Sequence, residues 1–203
     1  MVNLNCSKEY TDMLIRSIFI ALLLVLFMAQ YSKSETKSYP HAKVSFDDFK
    51  SLVSAVENHR AIRLVSLDKF LEMSRDPNTI ILDTRSDFRF ERLHLKGAKH
   101  LSFTDFTQDN LAKAIPSLET RILIYCNNNF KGNQIDFASK ISLPKKSPIG
   151  SQITSQEKPL MMALNIPTYI NLYGYGYQNV YELDELVDVN DSRINFEGTI
   201  VEK

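Results

Sequence analysis

The chain has 203 residues, of which 44% are hydrophobic and 24% are charged, and its formal net charge is zero. These values are typical of one domain of ordinary size with a short appendage. The balanced charge, with no cluster of Lys and Arg interleaved with aromatic residues, argues against a nucleic-acid-binding protein.

The appendage is N-terminal and apolar. An unbroken run of 13 apolar or small residues, 17–29, follows Arg16 and precedes a polar stretch. This pattern is typical of a signal peptide over residues 1–29, with translation starting at Met1 or at Met13. Phe27 is bulky for a residue near a cleavage site, so an uncleaved membrane anchor is the alternative. Either way, we expect the rest of the chain in the periplasm of a Gram-negative bacterium, soluble after cleavage or anchored to the inner membrane.

Export would leave one cysteine in the mature chain. Cys6 lies ahead of the apolar run and is lost with a cleaved signal peptide, which leaves Cys126. A single cysteine cannot form an internal disulfide. In an oxidising compartment it is either a buried, inert thiol or a reactive one.

Hydrophobic periodicity predicts alternating helices and strands after a polar linker. Residues 30–61 are predicted to form this linker and an N-terminal helix, which Ser45 caps in a capping-box pattern with Asp48. The predicted helices cover 46–58, 66–73, 87–93 and 165–173, and the predicted strands cover 63–65, 79–82, 122–125 and 179–183. The apolar strands favour a parallel sheet that is covered on both faces.

The stretch 121–140 carries the chemistry. A predicted strand, 122–125, ends at Cys126, and the residues 133–140 are predicted to form a helix. The thiol would then face a helix N-terminus, where free N–H groups and the helix dipole favour the thiolate. We therefore expect Cys126 to be solvent-reachable with a lowered pKa.

Three segments in order resemble the rhodanese-like domain family. They are IILDTR at 80–85, HLKGAKHLSF at 94–103 and ILIYCNNNFKGN at 122–133, and the resemblance extends over about residues 62–183 of a domain at 62–203. It implies an α/β fold with a central parallel sheet of four to five strands and helices on both faces. It also implies a catalytic Cys126 that carries sulfane sulfur as a persulfide.

The resemblance implies the remaining site residues as well. The loop after Cys126 would bind the anionic substrate through Asn127, Asn128, Asn129, Phe130, Lys131 and Gly132. Asp83 and Arg85 would form an ion pair that shapes the pocket. Lys131 stands where the family has arginine and keeps the charge without the bidentate fork, and Asn129 stands where glycine is common.

Two further segments depart from the family pattern. A polar insertion at 143–159 is interpreted either as a solvated surface loop or as a specificity element. After the segment NVYEL at 179–183 the resemblance ends, so the last family helix is expected to be absent or replaced by a strand-like acidic tail.

Two classes of function remain. The first is a sulfurtransferase that uses a small sulfur donor and a thiol or protein acceptor, with no cofactor and no nucleic acid, and with a membrane only if the N-terminal segment is uncleaved. The second is a catalytically weak or inactive binding module. The four histidines lack metal-ligand spacing, so no metal is expected. A Cys-x5-Arg phosphatase loop is excluded because Gly132 occupies the arginine position.

The location can be tested with a reporter fused after Arg60. The positive charge of Arg16 and the apolar run that follows it predict export, so alkaline phosphatase at this position should be active in a Gram-negative host. A fusion that is active only with a cytoplasmic reporter would contradict export.

Overall fold

The structure is a computed structural model that describes residues 5–31, 38–142, 160–161 and 163–201. The chain divides into two compact units, Met1–Val44 and Ser45–Lys203.

The first unit contains one long helix, α1, at Asn5–Tyr31. Its stretch Tyr10–Phe27, 18 residues, is long and apolar enough to cross a membrane by length and composition, and its side chains are exposed. The apolar run seen in the sequence is therefore part of a longer helix. This helix is compatible with a signal peptide and with a membrane anchor.

The second unit alternates helices and strands. Its α-helices are α2 Phe46–Ala61, α3 Leu67–Met73, α4 Asp87–Arg92, α5 Gln108–Ala114 and α6 Asn165–Gly174. Its strands are β1 Leu64–Val65, β2 Thr79–Asp83, β3 His94–Leu95, β4 Lys99–His100, β5 Arg121–Tyr125, β6 Phe130–Lys131, β7 Ile141–Ser142, β8 Leu160–Met161, β9 Val180–Leu183, β10 Val187–Asp188 and β11 Phe196–Glu197. Short 3₁₀ turns occupy Phe103–Asp105 and Asn127–Asn129.

The central sheet has five strands in the order β1-β9-β5-β2-β4, and every neighbouring pair is parallel. Strand β5 lies in the middle, with Ile122 opposite Ile80 on β2 and opposite Val180 on β9. The predicted α/β fold with a parallel sheet is confirmed. Because parallel strands share one direction, the ends of β2, β5 and β9 meet at the same edge of the sheet.

Side chains of β5 alternate between two hydrophobic cores, as the two-residue period of a strand requires. Ile122 and Ile124 pack in the core that contains residues of α2, α5 and α6. Leu123 and Tyr125 pack on the other face with residues of α3. The sheet is thus covered on both faces, which explains its continuous apolar strands.

The helix starts that were predicted from capping residues are confirmed. The Ser45 hydroxyl accepts a hydrogen bond from the Asp48 N–H at 3.1 Å, and the Ser66 hydroxyl accepts one from the Lys69 N–H at 3.3 Å. Each cap satisfies a backbone donor that the first turn of a helix leaves free.

Beyond β9, the described chain forms an extended segment, 184–201, that contains two short strands and no helix, as the sequence predicted. Strand β10 pairs in parallel with β6, and β11 pairs antiparallel with β3. We call 184–201 the C-terminal strap. Through these two pairings, the strap connects β6, which follows Cys126, to β3.

The insertion at 143–159 lies outside the described residues. The strands on either side of it, β7 and β8, pair antiparallel, with Ile141 opposite Met161. The two ends of the insertion therefore lie next to each other.

The close approach of the C-terminal strap to the Arg92 backbone can be tested by its effect on the stability of the domain. Gly198 has a φ of 137°, and a Cβ there would lie 2.2 Å from the Arg92 carbonyl oxygen. Gly198→Ala should therefore lower the free energy of unfolding by about 3 kcal/mol through backbone strain and overlap. Thermal unfolding of the full chain in detergent, followed by circular dichroism, measures the change.

Gly97→Ala is the matched control. Gly97 has a φ of 77°, but a Cβ there would meet no atom within 4 Å, so only the left-handed conformation is penalised, by about 1 kcal/mol. Equal losses for the two variants would show that the strap does not approach Arg92 closely.

Candidate active site around Cys126

Cys126 follows directly on the central strand β5, as predicted, but its side chain is enclosed. Only 1% of the residue is exposed. Its N–H donates to Asn129 Oδ1 at 2.8 Å, and its Sγ accepts a hydrogen bond from the Leu164 N–H at 3.2 Å. The thiol therefore lies between the turn that follows it and the segment that leads into α6.

Asn129 connects the thiol loop to two other parts of the domain. Its Nδ2 donates to the carbonyl of Leu183 at 2.7 Å, and its Oδ1 also accepts a hydrogen bond from Asn165 Nδ2 at 2.9 Å. The side chain is 6% exposed. One carboxamide thus holds β9, α6 and the Cys126 backbone together.

The predicted helix over 133–140 is wrong. Asn133 Oδ1 accepts hydrogen bonds from the N–H groups of Ile135 at 3.1 Å and Asp136 at 3.0 Å, which makes an Asx-type turn. A side chain that takes these donors offers the backbone an alternative to a helix. The helix dipole that was expected to stabilise the thiolate is therefore missing.

The expectation of a solvent-reachable thiol with a lowered pKa is also wrong. Burial raises the pKa of Cys126, because removal from water penalises the thiolate more than the neutral thiol. Hydrogen bonds from the Leu164 and Asn127 N–H groups act in the opposite direction but do not outweigh burial. In this conformation the thiol is protonated at neutral pH.

The loop residues predicted to bind an anion lie in different surroundings. Asn127 is 4% exposed, and its Oδ1 has no hydrogen-bond partner among the described residues. Asn128 accepts a hydrogen bond from the Lys140 N–H at 2.7 Å. Phe130 is fully buried, and its ring packs against those of Tyr125, Phe137 and Phe196.

Lys131 and Gly132 lie at the C-terminal strap. Lys131 is exposed in β6, and it borders a cavity that carboxylates of the strap, including Asp184 and Asp188, also line. Gly132 has a φ of 95°, a backbone conformation that favours glycine. Lys131 thus borders a cavity with several carboxylates and Arg193, and Cys126 does not line that cavity.

Asp83 and Arg85 form the ion pair that the resemblance implied. Arg85 Nη2 lies 2.6 Å from Asp83 Oδ2, and the two side chains are 1% and 0% exposed. The remaining Arg85 donors reach the carbonyls of Leu93 at 2.6 Å and Asp136 at 3.1 Å. A buried guanidinium needs such a full set of acceptors, because an unpaired charge in the interior is costly.

Two further residues complete this buried network. Tyr125 donates its hydroxyl hydrogen to Asp83 Oδ2 and accepts a hydrogen bond from the Leu95 N–H. Burial and the Asp83 charge raise the pKa of Tyr125 well above its ordinary value, so the phenol stays protonated. Asp136 pairs with Arg92 Nε at 2.6 Å.

Four residues of the site were not predicted from the sequence: Leu164, Asn165, Tyr125 and Asp136. Leu164 contributes a backbone N–H, for which no residue type gives a signal. The position of Tyr125 directly before Cys126 was a usable signal, because alternation along β5 turns it toward the face that Asp83 shares.

A family model of the rhodanese-like domain matches residues 66–185. The match covers more than half of the chain, and the chain therefore belongs to the rhodanese-like domain family.

Among solved structures, the crystal structure of the BH2092 protein from Bacillus halodurans is similar at 13% sequence identity. The alignment covers 72% of this chain and 85% of that chain, with a TM-score of 0.42. No curated protein matches the chain.

The buried ion pair gives a prediction about stability. Asp83→Asn leaves the Arg85 charge without a counterion in the interior, which should cost about 3–5 kcal/mol of unfolding free energy. The measurement is urea unfolding of the full chain in detergent.

Glu72→Gln is the control, because it breaks the Lys69–Glu72 pair, whose side chains are 51% and 67% exposed. Exposed pairs contribute little to stability. Equal, small effects of both substitutions would contradict the buried network.

Proposed function

We propose that this protein carries sulfane sulfur as a persulfide on Cys126 and transfers it to a thiol acceptor. The observation that supports the proposal is the surroundings of the Cys126 sulfur. The sulfur lies at the end of the central parallel strand and accepts a hydrogen bond from the Leu164 N–H at 3.2 Å. Fixed backbone donors of this kind stabilise an anionic sulfur without a cofactor.

The reaction has two balanced steps. The Cys126 thiolate attacks the outer sulfur of a donor, the bond between that sulfur and the rest of the donor breaks, and the donor leaves with the bonding electron pair. An acceptor thiolate then attacks the terminal sulfur of the Cys126 persulfide. The sulfur–sulfur bond to Cys126 breaks, and Cys126 returns as a thiolate.

The raised pKa determines how the first step depends on pH. Cys126 must lose its proton before it attacks, and burial disfavours that loss. The proposed activity therefore increases as the pH rises toward and beyond the thiol pKa.

The proposal includes a location outside the cytoplasm. The apolar helix stretch Tyr10–Phe27 would export the domain to the periplasm as a signal peptide, or hold it at the inner membrane as an uncleaved anchor. Both alternatives place the thiol in an oxidising compartment.

The second candidate function is a binding module in which Cys126 is not catalytic. The enclosure of the thiol, with 1% of the residue exposed, favours this alternative. Structural cysteines are commonly buried and inert, whereas catalytic cysteines are partly exposed.

One experiment separates the two candidates. Alkylation rates and sulfur transfer are measured across pH on the full chain with Cys6→Ser, so that Cys126 is the only thiol. We expect alkylation to be slow at neutral pH and to rise above about pH 8.5, the ordinary thiol value. Sulfur transfer should rise in parallel and be lost on adding Cys126→Ser.

Two other results of the alkylation and transfer measurements would contradict parts of the proposal. Fast alkylation at neutral pH would contradict the enclosed site. Alkylation at high pH without transfer at any pH would favour the binding module over the sulfurtransferase.

A further inference from the structure

A groove of about 530 Å³ runs along the wall of the Cys126 site. Asn129 and Asn165, whose side chains are hydrogen-bonded to each other next to Cys126, form part of its lining. Its volume falls within the range of sites that bind ligands or short peptide segments. A molecule bound in the groove is therefore separated from the Cys126 thiol by one layer of side chains.

The groove is largely apolar. Its apolar lining comes from two parts of the chain, the start of α6 with Ile166 and Pro167 and the strand end with Leu183 and Leu186. Ile166 is 46% exposed and Leu186 is 62% exposed. Exposed apolar side chains that line one groove together are typical of a surface that binds a ligand or a partner.

The charge of the groove is negative. Among the described residues, its lining contains one cation, Arg60, and three carboxylates, Glu182, Asp184 and Glu185. Arg60 forms a bidentate pair with Glu182, with Nε and Nη2 at 2.6 and 2.7 Å from the two carboxylate oxygens. Asp184 and Glu185 therefore leave a net negative charge at the mouth.

The net negative charge determines which kind of ligand the groove favours. Carboxylates near an apolar groove repel small oxyanions such as thiosulfate and attract basic groups. Two further described cations, Lys131 and Arg193, border the neighbouring cavity and do not line the groove.

We propose that the groove binds a protein segment in which basic residues flank a short apolar stretch, and that a cysteine in such a segment is the sulfur acceptor. The acceptor role rests on the proposed sulfur transfer, whereas the binding does not. Apolar side chains of the segment contact Ile166, Pro167 and Leu186, and its basic residues approach Asp184 and Glu185. The acceptor cysteine then lies beside Asn129, next to Cys126.

The test measures binding without the reactive thiol. The full chain with Cys126→Ser, in a neutral detergent, is titrated into a fluorescently labelled pentapeptide with lysine at both ends of a leucine, serine, leucine core. Fluorescence anisotropy reports the dissociation constant at low and high ionic strength. The same core between two glutamates is the charge-reversed probe.

Groove variants and matched controls complete the design. Asp184→Asn should weaken binding about threefold by removing one attractive charge, and Leu186→Ser should weaken it about tenfold by removing apolar contact. Asp109→Asn and Leu118→Ser change equally exposed residue types outside the groove and should leave binding unchanged.

The proposal predicts that only the lysine peptide binds, that salt weakens it and that only the groove variants reduce it. Equal binding of the two peptides, or equal behaviour of groove and control variants, would overturn it. Absent peptide binding with persulfide formation intact overturns the groove proposal alone. Intact binding with no persulfide formation overturns the proposed sulfur transfer and, with it, the acceptor role.

Discussion

The site depends on one buried interaction, the ion pair between Asp83 and Arg85 at the end of β2. Two charges removed from water are tolerated only when their remaining hydrogen-bonding groups also find partners. Here the partners are the Tyr125 hydroxyl and the carbonyls of Leu93 and Asp136. The pair therefore requires β5, the end of α4 and the Asx-type turn at Asn133 to be in place together. Strand β5 leads directly into Cys126, so the interaction that orders this edge of the sheet also positions the strand that carries the thiol.

Enclosure has opposite effects on the chemistry of Cys126. It raises the pKa of the thiol and slows its attack on a donor, because the thiolate loses its hydration. It also leaves the sulfur next to fixed N–H donors, among them that of Leu164, which stabilise an anion once formed. The C-terminal strap adds to the enclosure, because β10 pairs with β6 and holds Phe130 in the core. The raised thiol pKa and the nearby N–H donors are together consistent with a protein that carries sulfur slowly. Its acceptor would bind at the adjoining groove.

The sheet could be predicted from the sequence, and the thiol environment could not. The predicted strands at 79–82, 122–125 and 179–183 lie in the centre of the sheet, because a sheet covered on both faces favours apolar side chains on both sides. Glu182 is the exception and pairs with Arg60. The predicted helix at 133–140 failed because periodicity does not register the competition between the Asn133 side chain and the helical hydrogen bonds. The lowered pKa was inferred from that helix and failed with it. Leu164 and Asn165 reach the thiol across a gap of more than thirty residues along the chain, and only the folded chain brings them there.

The most direct measurement is the intact mass of the full chain carrying Cys6→Ser, taken before and after incubation with a low-molecular-weight persulfide donor at alkaline pH. The account predicts a gain of the mass of one sulfur atom, which a thiol reductant removes and which the added Cys126→Ser substitution abolishes. The gain should be larger at alkaline than at neutral pH, because burial raises the pKa of the thiol. No gain in mass under conditions in which Cys126 is alkylated would contradict the account.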